Sequence, residues 1–372
     1  MKPRTDFFNA GLTYYVLIIL FVLVRISTAV DLFSFLGDAE SYILNGLIQI
    51  GFMFLVPVVM FTLLNKQSFK TTFKDFRFNK INFKSVLISI GIGVLVFLLN
   101  IAVSSFFSFI LQLFGYNYST GGGTIITSYP FWMFLVNLLI TAILPGFCEE
   151  VAHRGLLLRG FKDLGMKKTI ILSALLFGLM HLNIEQFFYA SIIGALLAFL
   201  TISTNSIFPA MIVHFMNNGI SVYLDYAGAN NLFLGDFLSE ISSAITGSNF
   251  FVAMLIILLV LIAAIFLLVW LIYLLFKQTT GKRIGNLVKD FKEQFNPNAQ
   301  TDAKQENAES ALVQPESQTS YLKEVSLKIP AEYIGINIHQ TRKPAFKEKI
   351  FLYSTLILSI GVTISTFIWG TL

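Results

Sequence analysis

Long apolar segments limit this chain more than any other feature. A helix needs roughly 20 mostly apolar residues to cross about 30 Å of hydrocarbon. Stretches of that kind recur from one end of the 372 residues to the other. We read nine, near 11–34, 43–64, 86–114, 131–151, 169–184, 187–204, 207–226, 250–276 and 350–371. No segment reads as a strand, and a backbone without water must close its hydrogen bonds on itself. The expected fold is therefore all-α, a polytopic transmembrane helix bundle. The composition agrees: 55% of the residues are hydrophobic and only 13% charged, which excludes an ordinary soluble domain.

Charge gives the orientation. Cytoplasmic loops hold the excess of Lys and Arg. With Lys2 and Arg4 inside, the next inside loop carries Lys66, Lys70, Lys74, Arg77, Lys80 and Lys84. The one after it carries Arg154, Arg159, Lys162, Lys167 and Lys168, and the remaining basic residues fall in 277–349. The outside loops (35–42, 115–130, near 185 and 227–249) contain no Lys or Arg. Only Arg25 falls inside a span. The pattern predicts the N-terminus inside and the C-terminus outside, as a multi-pass protein of the plasma membrane. The net charge of +5 then reflects orientation, and no nucleic-acid partner is expected. Cys148 is the only cysteine, so one chain has neither a disulfide nor a cysteine metal cluster. The first span reads as a retained anchor.

We divide the chain into 1–85 (N-terminal spans and a basic cytoplasmic loop), 86–226 (the core), 227–276 (an outside loop and the eighth span), 277–349 (a cytoplasmic loop) and 350–372 (the last span). In 65–85 the order FKTTFKDFRFNKINFK sets Phe among Lys. It reads as a loop lying on the membrane surface with Phe dipping into the headgroups. Residues 296–320 are polar and read as disordered, and 321–341 as a short ordered element.

Ionisable residues inside spans are costly and are functional candidates by default. Here they gather in the core. Glu149 and Glu150 end the fourth span, His181 lies in the fifth and His214 in the seventh. Glu150 and Arg154 are four apart, on one helix face. An arginine cannot lose its proton, so Arg154 should hold Glu150 ionised. Glu149 points about 100° away, toward the interior, where it could act as a general base. His214 and Asn218 share a face and offer two donors, as an oxyanion needs. Phe177 shares a face with His181 and can fix its ring.

Each residue also has a plain reading. The glutamates could be interfacial residues at a helix end, and His181 a buried histidine bonded to a helix carbonyl. His214 and Asn218 could join helices, as Asn100 and Asn137 do in this reading. Arg159, Lys162, Lys167 and Lys168 read as a solvated cytoplasmic edge, and His153 as facing the headgroups. The functional case rests on the combination.

That combination has a family form. Glu149-Glu150-Val151-Ala152-His153-Arg154-Gly155 is EExxxRG, Phe177 to His181 is FxxxH, and His214 to Asn218 is HxxxN. Three motifs in this order on separate helices resemble the CAAX-protease and bacteriocin-processing (CPBP or Abi) family of intramembrane proteases, over roughly 86–226. One departure is His153, where the family tends to carry an aromatic or aliphatic residue. The resemblance implies an endopeptidase acting on a membrane-associated protein or peptide at the lipid bilayer. Glu149 would be the general base and His181 would help bind the water. His214 and Asn218 would form the oxyanion hole, with Glu150, Arg154 and Phe177 supporting. The family was first called metalloproteases. A divalent metal such as zinc stays open as a cofactor, with Glu149, His181 and His214 as the available ligands; three is the usual number of protein ligands.

Counting rise per residue puts His214 about 10 Å deep and His181 nearer 20 Å. Tilt or a bend near Pro145-Gly146 must bring them together, in the cytoplasmic half. There is no HExxH, rhomboid-type GxSG or presenilin-type GxGD. The rivals are a non-catalytic scaffold of the same fold that binds or regulates an envelope enzyme and, further off, a proton-coupled transporter. The latter would be expected to show repeated halves, and we see none.

Overall fold

The computed structural model describes residues 6–116, 129–232, 235, 250–294 and 344–371, and every regular element among them is helical. We number the helices α1 (Asp6–Ala29), α2 (Glu40–Asn65), α3 (Phe69–Asp75), α4 (Phe83–Leu113) and α5 (Phe131–Leu164). They continue as α6 (Met166–Met180), α7 (Ile184–Thr204), α8 (Phe208–Ala229), α9 (Phe250–Gln294) and α10 (Phe346–Thr371).

Seven of these are long and apolar enough to cross a membrane: α1, α2, α4, α5, α7, the Leu255–Thr279 part of α9, and α10. This is a multi-pass membrane protein. The sequence-read spans at 169–184 and 207–226 correspond to α6 and α8. At 15 residues, α6 is only about 22 Å long. α8 is long enough but carries His214, Asn217, Asn218 and Asp225. Both lie against protein: α6 packs on α7, and α8 on α4 and α5. α9 continues as helix through Gln294, into the stretch read from sequence as loop. The readings for 296–320 and 321–341 fall outside the described residues.

Local chemistry sets the helix ends. Asn82 caps α4 by accepting from Ser85 N at 2.9 Å, and Asn183 caps α7 through Glu185 N at 2.8 Å, each meeting a first-turn donor. Lys66 and Asn205 close α2 and α7 in the left-handed region, both at φ 52°.

Core and surface separate cleanly along α5. Leu135, Leu139, Ile143 and Phe147, four apart, are exposed. Ala142, Gly146, Cys148, Glu149 and Glu150 turn inward. An apolar stripe facing out and carboxylates facing in is the pattern of a lipid-facing helix, the reverse of a soluble one. The inner core joins Tyr14 and Leu17 of α1, Met53 and Phe61 of α2, Val151 and Leu156 of α5, Phe177 of α6 and Met211 of α8.

The Phe- and Lys-rich segment departs from expectation. Phe76 is fully buried, Phe73 packs on the core, and Phe78 meets Phe147 and Phe208 edge-on. Only Phe69 and Phe83 point outward with the lysines. The segment packs as a plug against the bundle, because three Phe rings, Phe73, Phe76 and Phe78, find apolar partners in the protein. Arg77 goes in with it, at 4% exposure. Burial, helped by nearby Arg159 and opposed by Asp75, lowers its guanidinium to about 10.

Arg159 and Lys162, read as a solvated edge, are paired and about a quarter exposed. Arg159 meets Asp6 and Asp75, each at 3.1 Å, and Lys162 meets Asp6 at 2.8 Å. Lys167 and Lys168 do face outward.

Candidate active site

Two features of α5 shape the site. The helix widens into π-helical turns at Leu138–Ile143 and Val151–Leu157, on either side of the α-helical turn holding both glutamates. Such insertions cluster at functional sites. Pro145 lies between them and has no N–H for the carbonyl four residues back, Thr141. Asn218 takes up that carbonyl, its Nδ2 donating to Thr141 O at 3.0 Å. Gly146 lets α8 come close: a Cβ there would lie 3.0 Å from Phe215 N. Gly155, the last position of the first motif, has the Phe76 ring where a Cβ would sit, at 2.8 Å.

Glu149 and Glu150 are 7% and 0% exposed, and His214 is 6% exposed. His214 stands between the two carboxylates. Its Nδ1 lies 2.9 Å from Glu150 Oε1 and its Nε2 lies 3.9 Å from Glu149 Oε2. Glu150 is held on its other oxygen by Arg154 Nε at 3.1 Å, with both side chains fully buried. Arg154 also donates to Gly194 O at 3.2 Å and lies over the Phe177 ring, 4.4 Å from its centroid. An ionised Glu150 can only accept, so Nδ1 of His214 carries the proton and donates. In the neutral ring Nε2 is then a lone pair facing Glu149.

Phe177 is the hub. Its ring meets His153, His181 and His214 edge-on, with centroids 4.8, 5.4 and 5.7 Å apart. His181 shares the Phe177 ring with His214 and is within electrostatic range of both His214 and Glu149. It donates from Nδ1 to Phe177 O at 3.0 Å, which leaves its Nε2 as an acceptor too.

Asn218 is oriented by a chain of amides. Ser104 Oγ donates to Asn100 Oδ1 at 3.2 Å, and Asn100 Nδ2 to Asn217 Oδ1 at 3.2 Å. Asn217 Nδ2 then donates to Asn218 Oδ1 at 3.0 Å. With one N–H on Thr141 O, Asn218 keeps one further N–H to offer. Asn100 does join helices, α4 to α8; Asn137 bonds the Tyr129 hydroxyl.

His153 does not face the headgroups. It is fully buried, because Tyr14 of α1 supplies a partner: Tyr14 Oη lies 2.8 Å from His153 Nε2. His153 Nδ1 lies 2.7 Å from the Glu149 carbonyl. A second residue absent from the sequence reading is Gln49 of α2, whose Nε2 donates to Glu149 Oε1 at 2.8 Å. A polar side chain in an apolar span was the available signal.

As for a metal, Glu149 and His214 adjoin, but among the described residues no three His, Cys, Asp or Glu side chains gather into a metal-holding group. As arranged, these donors do not fit a metal.

Residues 130–220 match the family model Rce1-like, described as type II CAAX prenyl endopeptidase Rce1-like. The match contains all three motifs and bears out the resemblance read from them, over a stretch shorter than 86–226. No curated protein and no solved structure matches the chain.

Proposed function

We propose that the protein is an intramembrane endopeptidase that hydrolyses a peptide bond of a membrane-associated protein or peptide with a water held between Glu149 and His214. The observation that carries this reading is the 3.9 Å gap between His214 Nε2 and Glu149 Oε2. Both atoms accept, and a water in hydrogen-bond reach of both would donate one proton to each. Its remaining lone pair is then directed at a substrate carbonyl. His181, within electrostatic range of Glu149 and His214, would assist in polarising that water.

As the water attacks, one proton passes to the Glu149–His214 pair. When it rests on His214, Nε2–H becomes a donor and, with the remaining Asn218 N–H, can stabilise the tetrahedral oxyanion. The same proton goes to the leaving amine as the C–N bond breaks. Glu150 and Arg154 fix the orientation of His214 throughout. The buried surroundings strengthen each of these interactions. We further propose nine passes with the N-terminus inside, in the plasma membrane, and a site opening toward the cytoplasmic half.

The test compares the membrane proteome and its peptide fragments in cells making wild type or Glu149→Gln. A fragment made only by wild type supports the reading and identifies the substrate. Normal cleavage by Glu149→Gln overturns the mechanism. Equal fragment profiles, with a phenotype when the protein is deleted, favour a scaffold of the same fold.

A further inference from the structure

The three motifs lie within 130–220, yet two side chains from outside that stretch reach the centre of the site. Gln49, 7% exposed and in the first turn of a π-helical segment of α2, donates to Glu149 Oε1 at 2.8 Å. It leaves Oε2 as the oxygen nearest His214. On the other side the main chain of Glu149 is held. The His153 ring reaches back one helical turn to this carbonyl, its Nδ1 2.7 Å from Glu149 O.

A carbonyl only accepts, so His153 Nδ1 carries the proton. The one Tyr14 hydroxyl proton then lies between two acceptors, His153 Nε2 at 2.8 Å and Leu176 O on α6 at 2.9 Å. Tyr14 is 1% exposed. Its partners tie α1, α5 and α6 together at the residue just before Phe177.

We propose that Gln49 and the Tyr14–His153 pair are positioning residues for Glu149. The first two helices would then complete the site, with Gln49 selecting which carboxylate oxygen faces the water and His153 fixing the main chain beneath it. The inference rests on Glu149 acting as the base. It also gives His153, the departure from the family pattern, a reason: an aromatic ring without a donor would leave the Glu149 carbonyl without that bond.

The test uses the purified full chain and a peptide spanning the cut site that the proteome comparison yields. Gln49→Leu and His153→Phe should lower kcat roughly 10- to 100-fold, as small misplacements of a reacting group do, with KM within about twofold. His153→Asn, whose amide N–H falls near the Nδ1 position, should recover most of the loss. Tyr14→Phe should fall between. Unchanged kcat per folded molecule in Gln49→Leu and His153→Phe overturns the inference. So does a loss that merely follows the folded fraction seen by size exclusion and thermal unfolding, or a His153→Asn no better than His153→Phe. In those cases wild type still cuts and the endopeptidase reading stands. If wild type cuts no more than Glu149→Gln, that reading fails, and this inference with it.

Discussion

Removing Arg154 alone should strongly destabilise the fold. In Arg154→Met the Glu150 carboxylate, at 0% exposure, keeps only the His214 Nδ1 proton. Its second oxygen, which faced Arg154 Nε at 3.1 Å, is left in apolar surroundings. Breaking a fully buried pair by deleting one partner costs about 3–5 kcal/mol. Set against the 5–15 kcal/mol that holds most proteins folded, that is roughly a 10²- to 10⁴-fold drop in the folded-to-unfolded ratio. Arg159 is the control. Its pairs with Asp6 and Asp75 involve side chains 15–28% exposed, and such pairs contribute about 0–1 kcal/mol. Unfolding in detergent, followed by circular dichroism, together with membrane yield, reads both variants. The double variant Glu150→Leu with Arg154→Met should be less destabilised than Arg154→Met alone, because no charge is stranded. If Arg154→Met unfolds within about 1 kcal/mol of wild type at unchanged yield, the buried-pair argument is refuted.

Glu149→Gln should abolish cleavage while unfolding like wild type, since size is kept and Gln49 can still meet a side-chain oxygen; retained cleavage would remove Glu149 from the chemistry. His214→Ala should lower turnover by ~10²–10³ through the lost oxyanion donor, measured on the same peptide as a fall in kcat. Gly146→Ala should lower both unfolding temperature and activity, because the new Cβ would lie 3.0 Å from Phe215 N and 3.1 Å from its Cα, and backbone cannot swing aside. Asn100→Leu breaks the amide chain to Asn218. It should cost little stability, about 0.6 kcal/mol for a bond of this kind in a membrane, yet reduce kcat; unchanged kcat would mean that the chain does not orient Asn218.

The parts of the site that the sequence announces are those set by short spacing. Glu150 and Arg154, His214 and Asn218, and Phe177 and His181 are each four apart, so helix geometry alone puts each pair on one face. The pairings that cross the bundle have no such signature. Gln49 reaches Glu149 across 100 residues and Tyr14 reaches His153 across 139. Gln49 would have emerged from attention to every polar residue in a span, not only to ionisable ones. Tyr14 looks like an interfacial aromatic, and His153 like a headgroup contact, until each supplies the other's partner. The Phe-rich segment misled for a related reason. Alternating Phe and Lys suits a membrane surface and a capping plug equally, and only the ring contacts of Phe76 and Phe78 decide. The π-helical turns have one visible trace, Pro145, whose missing N–H leaves Thr141 O for Asn218.

Adjacent glutamates are ordinarily a liability in hydrocarbon, and here the partners divide their roles. Glu150 meets a permanent cation on one oxygen and a ring N–H on the other. Its charge is compensated, and in the proposed reaction it acts through His214. Among the described residues Glu149 meets no Lys or Arg at that range. Its closest side-chain partners are the neutral amide of Gln49 at 2.8 Å and the Nε2 edge of His214 at 3.9 Å. Glu149 is thus held by a neutral donor on one oxygen, with the other turned to His214, whereas both oxygens of Glu150 are engaged. The proposed assignment of base to Glu149 and support to Glu150 rests on what each oxygen touches, and exchanging the two proposed roles would require Arg154 to stand four residues after Glu149 instead.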